Sequence, residues 1–214
     1  MTPLRARHRL AARLRRFAGD EGGATLIEFS LVVLLFLFLL FAIIDFGRLA
    51  HTWAAAQKAT QVAARIAAVR PPACAGVPVL NSRGAAGAGI TFGTLCRAGA
   101  GICADPGPAS CSGVSTNATT AEIFAKIRPL LPAGATEGNL RFTYRFDPNL
   151  GFLGGPYVPM VTVDLQGLEF VFVSNLGLMI TPITGQPTTL GANIPLPRMS
   201  ISVPGEDLAL GTAG

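Results

Sequence analysis

From Ala24 to Ile44 the only polar residues are Thr25, Glu28 and Ser30, and Leu31 to Ile44 is an unbroken apolar run. At about 1.5 Å per residue a helix of this length covers roughly 30 Å, the thickness of a bilayer's hydrocarbon core. A segment of that kind cannot be the surface of a soluble domain, so it fixes the first element of the fold as a transmembrane helix. Six arginines (Arg5, Arg7, Arg9, Arg13, Arg15 and Arg16) precede it against Asp20 and Glu21, while Asp45, Arg48 and Lys58 follow it. The positive-inside rule then predicts a cytoplasmic N-terminus and an external remainder. The formal charge of +5 belongs to this leader; from Ala24 onward the chain is close to neutral. A basic leader beside an apolar run reads as a topology signal, and no nucleic-acid partner is expected.

Two other readings of the N-terminus compete with this one. A cleaved secretory signal would use the small residues Ala54-Ala55-Ala56, but they lie about ten residues beyond the apolar stretch, within continuing helix, and that stretch exceeds a usual signal core. Arg15-Arg16-Phe17 resembles a twin-arginine signal, yet the following core lies far from the pair and is too hydrophobic.

The helix is expected to continue past the membrane as a stalk. Residues 47–70 are Ala-rich with no Pro and one Gly. Leu49, Trp53, Ala56, Ala63, Ile66 and Ala67 fall on or near one stripe, and Pro71-Pro72 ends the run. The small residues suit close packing, either on the chain's own domain or on other subunits. His51 is read as polar helix surface and Trp53 as an interface anchor or stripe residue.

Residues 71–118 are Gly-, Ala- and Pro-rich without periodicity and hold all four cysteines, Cys74, Cys96, Cys103 and Cys111. An even count in an oxidising compartment predicts two disulfides, with three possible pairings. A zinc site would need a C-x2-C pair or a nearby His, and neither is present, so no metal is expected. Thr119-Thr120-Ala121-Glu122 reads as a capping box opening a short helix closed by Pro129. Leu140, Phe142, Tyr144 and Phe146 alternate with Arg141, Thr143, Arg145 and Asp147, predicting a half-buried strand. Residues 161–166 predict a second strand, residues 168–173 and 176–181 further strands, and Met199 to Val203 a last one. The apolar stretch 165–183 raises a second membrane span, but Glu169, Asn175, glycine breaks and Pro182 argue against it. The expected class is α+β, in five parts: leader 1–23, transmembrane helix 24–46, periplasmic helix extension 47–70, cysteine-containing loops 71–118, and an α+β domain with a short helix and antiparallel strands over 119–214.

A carboxylate four residues inside a membrane helix is costly and calls for a role. Residues 23–28, Gly-Ala-Thr-Leu-Ile-Glu, resemble the type IV prepilin family. That resemblance implies cleavage by a prepilin peptidase between Gly23 and Ala24, which leaves Glu28 at the fifth position of the mature chain. Glu28 would then be a subunit contact in the membrane, pairing with the freed ammonium of Ala24 on a neighbour. The stretches 22–29, 41–48 (Phe-Ala-Ile-Ile-Asp-Phe-Gly-Arg) and 63–69 (Ala-Ala-Arg-Ile-Ala-Ala-Val) narrow the likeness to the TadE-like family of pseudopilins or minor pilins in tight-adherence (Flp) pili. The implied partners are a prepilin peptidase, other pilins and pseudopilins, and an inner-membrane assembly platform. The implied location is the bacterial inner membrane, with the C-terminal domain periplasmic.

Asp45 and Arg48, three residues apart at the outer boundary, are expected to form an interfacial ion pair. One His outside the leader, with no nucleophile motif, phosphate loop or metal spacing, predicts a non-enzyme without cofactors. The rival to a pilin role is an uncleaved, membrane-anchored periplasmic binding or scaffold module, for which Glu28 has no use.

Overall fold

The computed structural model describes residues 21–174, 177, 181, 185–186, 191–206 and 208. The chain is α+β. A helix α1, Glu21–Val69, is followed by strand β1, Ala109–Ser112, and a short helix α2, Ala118–Ile127. Strands β2, Leu140–Arg145, β3, Met160–Leu165, β4, Glu169–Phe170, β5, Ile194–Pro195, and β6, Met199–Pro204, complete the order. Two compact units divide the chain. One comprises the chain through Gly47 with Val173–Gly191; the other comprises Arg48–Phe172 with Ala192–Gly214. Helix α1 runs through both.

In the first unit α1 is apolar on every side. Its most apolar window has a mean hydropathy of 3.0, and none of it is buried in the protein. Leu26, Ile27, Phe29, Leu35 and Phe36 are each more than 60% exposed. A helix hydrophobic all round needs an apolar surrounding. Among the described residues this is the one helix long and apolar enough to cross a membrane, and it fits a membrane anchor carrying a C-terminal domain.

In the second unit the rest of α1 is amphipathic by size rather than by charge. Ala56, Ala59, Ala63, Ala64 and Ala67 are fully buried, while Gln57, Lys58, Gln61 and Arg65 are exposed. Spacings of three and four residues place the alanines on one stripe, and their short side chains admit close approach of the packing partners. Thr60, also fully buried, donates its hydroxyl to the Ala56 carbonyl at 2.9 Å, so no polar group is stranded within the stripe. Trp53 departs from the stripe reading and is 46% exposed.

Four strands form an antiparallel sheet in the order β1-β2-β3-β6. Leu140, Phe142 and Tyr144 of β2 lie opposite Leu165, Val163 and Val161 of β3, which in turn face Met199, Ile201 and Val203 of β6. The period of two puts these residues on one face, where they join the α1 alanines and Ile123, Phe124 and Ile127 of α2 in a single core. Burying each large side chain contributes about 1.5–3 kcal/mol. The opposite face carries Ser110, Arg141, Thr143, Thr162 and Ser202, with hydroxyl contacts Ser110–Thr143 at 3.0 Å and Thr162–Ser202 at 2.7 Å.

Helix α2 begins two residues earlier than the Thr119 capping box predicts. Its N-cap is Asn117, whose side chain accepts from the Thr120 amide at 2.9 Å; an Asn carbonyl satisfies an orphan amide as well as a Thr hydroxyl does. Arg70, just past α1, grips Glu122 of α2 with two parallel bonds of 3.0 and 3.1 Å. Tyr144 ties the sheet to the same corner: its hydroxyl accepts from the Ala73 amide at 2.9 Å. Burial pushes the Tyr144 hydroxyl above its ordinary pKa, against the lowering effect of that amide.

The expected strand over 168–173 is reduced to Glu169–Phe170, paired with β5. The strand expected over 176–181 falls largely outside the described residues. Of that stretch, Gly177 and Thr181 are described and are helical, the Thr181 hydroxyl donating to the Gly177 carbonyl at 2.7 Å.

Candidate functional site

The site built by the apolar half of α1 is a pair of carboxylates at its two ends, about 26 Å apart along the helix axis. Gly23 and Glu28 lie in the first turns, and both are exposed. Ser30 satisfies its hydroxyl within the helix by donating to the Leu26 carbonyl at 2.7 Å. Among the described residues Glu28 has no hydrogen-bond or ion-pair partner. It therefore presents a carboxylate on an apolar helix surface, flanked by the exposed Ile27 and Phe29. Among the described residues, a Cβ added at Gly23 would meet nothing within 4 Å.

Asp45 is the opposite case. It is only 2% exposed. Its carboxylate accepts from the Val173 amide at 3.4 Å, the Ser174 amide at 3.0 Å and the Ser174 hydroxyl. A buried charge is tolerable when its lone pairs are filled in this way. Sequence spacing could not reveal these partners, which lie 128 and 129 residues away. Arg48, three residues further along α1, places its guanidinium 5.5 Å from the centroid of the Phe170 ring.

The four cysteines are bonded as Cys74–Cys111 and Cys96–Cys103. The first bond joins the segment after α1 to the edge strand β1. The second closes a short loop in a satellite cluster with Ile102 and Leu153. Arg83 lies 4.4 Å from the centroid of Phe92 and donates to the carbonyls of Gly87 and Ile90, organising the loops that composition left without a pattern. In these loops Tyr157 is pushed up to about 12, by burial first and by the negative charge of Asp105 second.

A groove of about 380 Å³ runs between α1 and β6, lined by Trp53, Gln57, Gln61, Arg198, Ser200 and Ile201 among others. Among the described residues Arg198 is the one ionisable side chain that lines it. Among the described residues no group of three or more His, Cys, Asp or Glu side chains is placed to hold a metal ion.

Comparison with known proteins bears on the same helix. Residues 23–65 match the family model described as TadE-like protein. The match begins at Gly23, includes Glu28, Asp45 and Arg48, and ends within the alanine stripe. Comparison with curated proteins gave no match, and comparison with solved structures gave none.

Proposed function

We propose that this chain is a pseudopilin or minor pilin that takes part in assembling a tight-adherence pilus, in a non-catalytic role. The TadE-like match over residues 23–65 supports an association with a pilus system and a membrane. The observation that carries the finer reading is Glu28, a carboxylate held on an apolar, membrane-length helix with no partner in its own chain among the described residues. An unpaired charge at membrane depth is costly, and a cation on a neighbouring subunit offsets that cost.

The supply of that cation follows from processing. A prepilin peptidase cuts between Gly23 and Ala24 on the cytoplasmic side and leaves a free ammonium on Ala24. The ammonium of one subunit meets Glu28 of the next within the inner membrane. The arginine-rich leader sets the orientation, with residues 1–23 cytoplasmic and the β-sheet domain periplasmic. The assembly platform of the inner membrane and the other pilins and pseudopilins of the system are its partners. Whole-protein mass spectrometry of material from the native host tests this reading. A chain beginning at Ala24 agrees with it, and a chain beginning at Met1 points instead to an uncleaved anchored scaffold. Replacing Gly23 with Trp should block the cut, because the protease must approach the backbone closely.

A further inference from the structure

The four-stranded sheet ends in two edge strands, β1 and β6. In an antiparallel strand the N–H and C=O of one residue point to the same side, and successive residues alternate. The Gly113 amide donates to the Leu140 carbonyl of β2 at 2.8 Å, so Cys111 and Ala109 also bond toward β2, and Ser110 and Ser112 point outward. At the other edge the Gly205 amide donates to the Pro159 carbonyl at 2.7 Å, so Val203, Ile201 and Met199 bond toward β3, and Ser200 and Ser202 point outward. Among the described residues the outward groups of these serines take no backbone partner. All of them are exposed, and a groove lined by Met199, Ser200 and Ile201 opens beside β6. Natural sheets block their edges with charge, proline or a bulge. Residues 109–112 and 199–203 contain neither a charged residue nor a proline.

Strand order supplies the partner. Directions alternate across β1-β2-β3-β6, so β6 runs opposite to β1. A second copy in the same orientation, shifted sideways across the sheet, brings its own β1 antiparallel to β6. Chains anchored by the same helix in one membrane share an orientation, and that shift preserves it. Antiparallel pairing of β6 with β6 would instead reverse every strand of the second copy. The side chains agree with the shift. Ser110, Thr143, Thr162 and Ser202 lie opposite one another as a row of hydroxyls crossing the polar face from edge to edge. Setting Ser202 beside Ser110 of the second copy prolongs that row. The same register sets Ser200 beside Ser112 on the polar face and Ile201 beside Cys111 on the apolar face, and each serine pair exchanges two backbone hydrogen bonds. We infer that β6 is a docking edge for β1 of a second copy of this chain, so that one sheet continues through neighbouring subunits. The inference deepens the pilin reading by naming a partner, and it rests on that reading for the shared membrane. A contact between two different edges leaves one free at each end, so it repeats from copy to copy, as an assembling subunit requires.

Thiol cross-linking tests this with the full chain reconstituted in phosphatidylcholine vesicles. Two differently tagged copies are mixed, one carrying Ser202→Cys and the other Ser110→Cys. Paired residues of this kind have Cα atoms about 5.5 Å apart, within reach of a short bismaleimide that does not react with the native disulfides. The expected result is an adduct joining the Ser202→Cys copy to the Ser110→Cys copy. Adding Ser200→Pro to the first copy, or Ser112→Pro to the second, removes an outward amide that the chain's own sheet does not use, and each should abolish the adduct. Peptide mapping that finds both native disulfides verifies that these variants keep their fold. An equal adduct between two Ser202→Cys copies, an adduct that survives both proline variants, or no adduct at all would each overturn the pairing. The pilin reading fails separately. An adduct from a chain that begins at Met1 in its native host would leave the strand pairing standing alone, and a chain cut at Ala24 that gives no adduct would leave the pilin reading standing without it.

Discussion

Arg198 donates to the Asp164 carboxylate across 2.5 Å, and the two side chains differ sharply in environment: Asp164 is 2% exposed and Arg198 is 59% exposed. Asp164 sits in β3 opposite Arg141 on one side and Ser200 on the other. Burial alone would raise its pKa. The bonds from Arg198 and Ser200 and the positive charges of Arg198 and Arg141 outweigh burial and hold it below its ordinary value. The sheet's polar face thus contains one carboxylate kept ionised by the arginines around it.

A carboxylate with a depressed folded-state pKa adds stability above its unfolded pKa and loses it as pH falls through the folded value. Asp164→Asn should therefore lower the Tm of the detergent-solubilised chain at neutral pH by roughly 2–5 °C, the response expected for loss of one charge-assisted hydrogen bond in a protein of this size. The gap between variant and wild type should shrink as pH falls below about 4, where the free carboxyl protonates. A gap that stays constant from neutral pH to acid would show that the ion pair contributes nothing through its charge.

The two disulfides should differ in weight. Cys74–Cys111 spans 37 residues and ties the end of α1 to β1, whereas Cys96–Cys103 spans 7. Loop entropy assigns them about 4 and about 2.5 kcal/mol respectively. The double replacement Cys74→Ser with Cys111→Ser should lower the denaturation midpoint more than Cys96→Ser with Cys103→Ser. Non-reducing peptide mapping checks the pairing itself, and a Cys74–Cys96 peptide would contradict it.

What the sequence revealed divides along physical lines. The apolar helix was legible because a run like Leu31–Ile44 has one stable environment. Strands β2 and β3 were legible because Leu140–Arg145 and Val161–Leu165 alternate with period two. Strand β1 was not. Ala-Ser-Cys-Ser lacks β-branched and aromatic residues, and it is a strand because β2 offers it a hydrogen-bonding edge and Cys111 is bonded to Cys74. The start of α2 is not legible locally because Asn117, Thr119 and Thr120 can all cap, and only tertiary contacts choose Asn117. Asn117 is also held by its amide donating to the Ala73 carbonyl, while the Thr119 hydroxyl is taken by the Pro71 carbonyl. At the site, Glu28 was legible as a charge out of place in an apolar run. The partners of Asp45 at Val173 and Ser174 lie 128 and 129 residues away and carry no local signal, so spacing alone points only to the Asp45–Arg48 pair at this boundary.

The proposal that Glu28 is an assembly residue predicts the opposite of what a passive anchor predicts. For an anchor, Glu28 is a liability of up to about 3 kcal/mol at membrane depth, so Glu28→Leu should insert as well as wild type and leave function intact. For a pilin-like subunit, the same change leaves a neighbour's Ala24 ammonium unpaired in lipid, at a cost of about 3–5 kcal/mol. The decisive measurement is pilus number by electron microscopy in a deletion strain complemented with Glu28→Leu, with the membrane level of the protein checked by blot. The expected result is a normal membrane level with pili lost, and Glu28→Asp intermediate because its shorter arm reaches poorly. Full piliation by Glu28→Leu would contradict the assembly role.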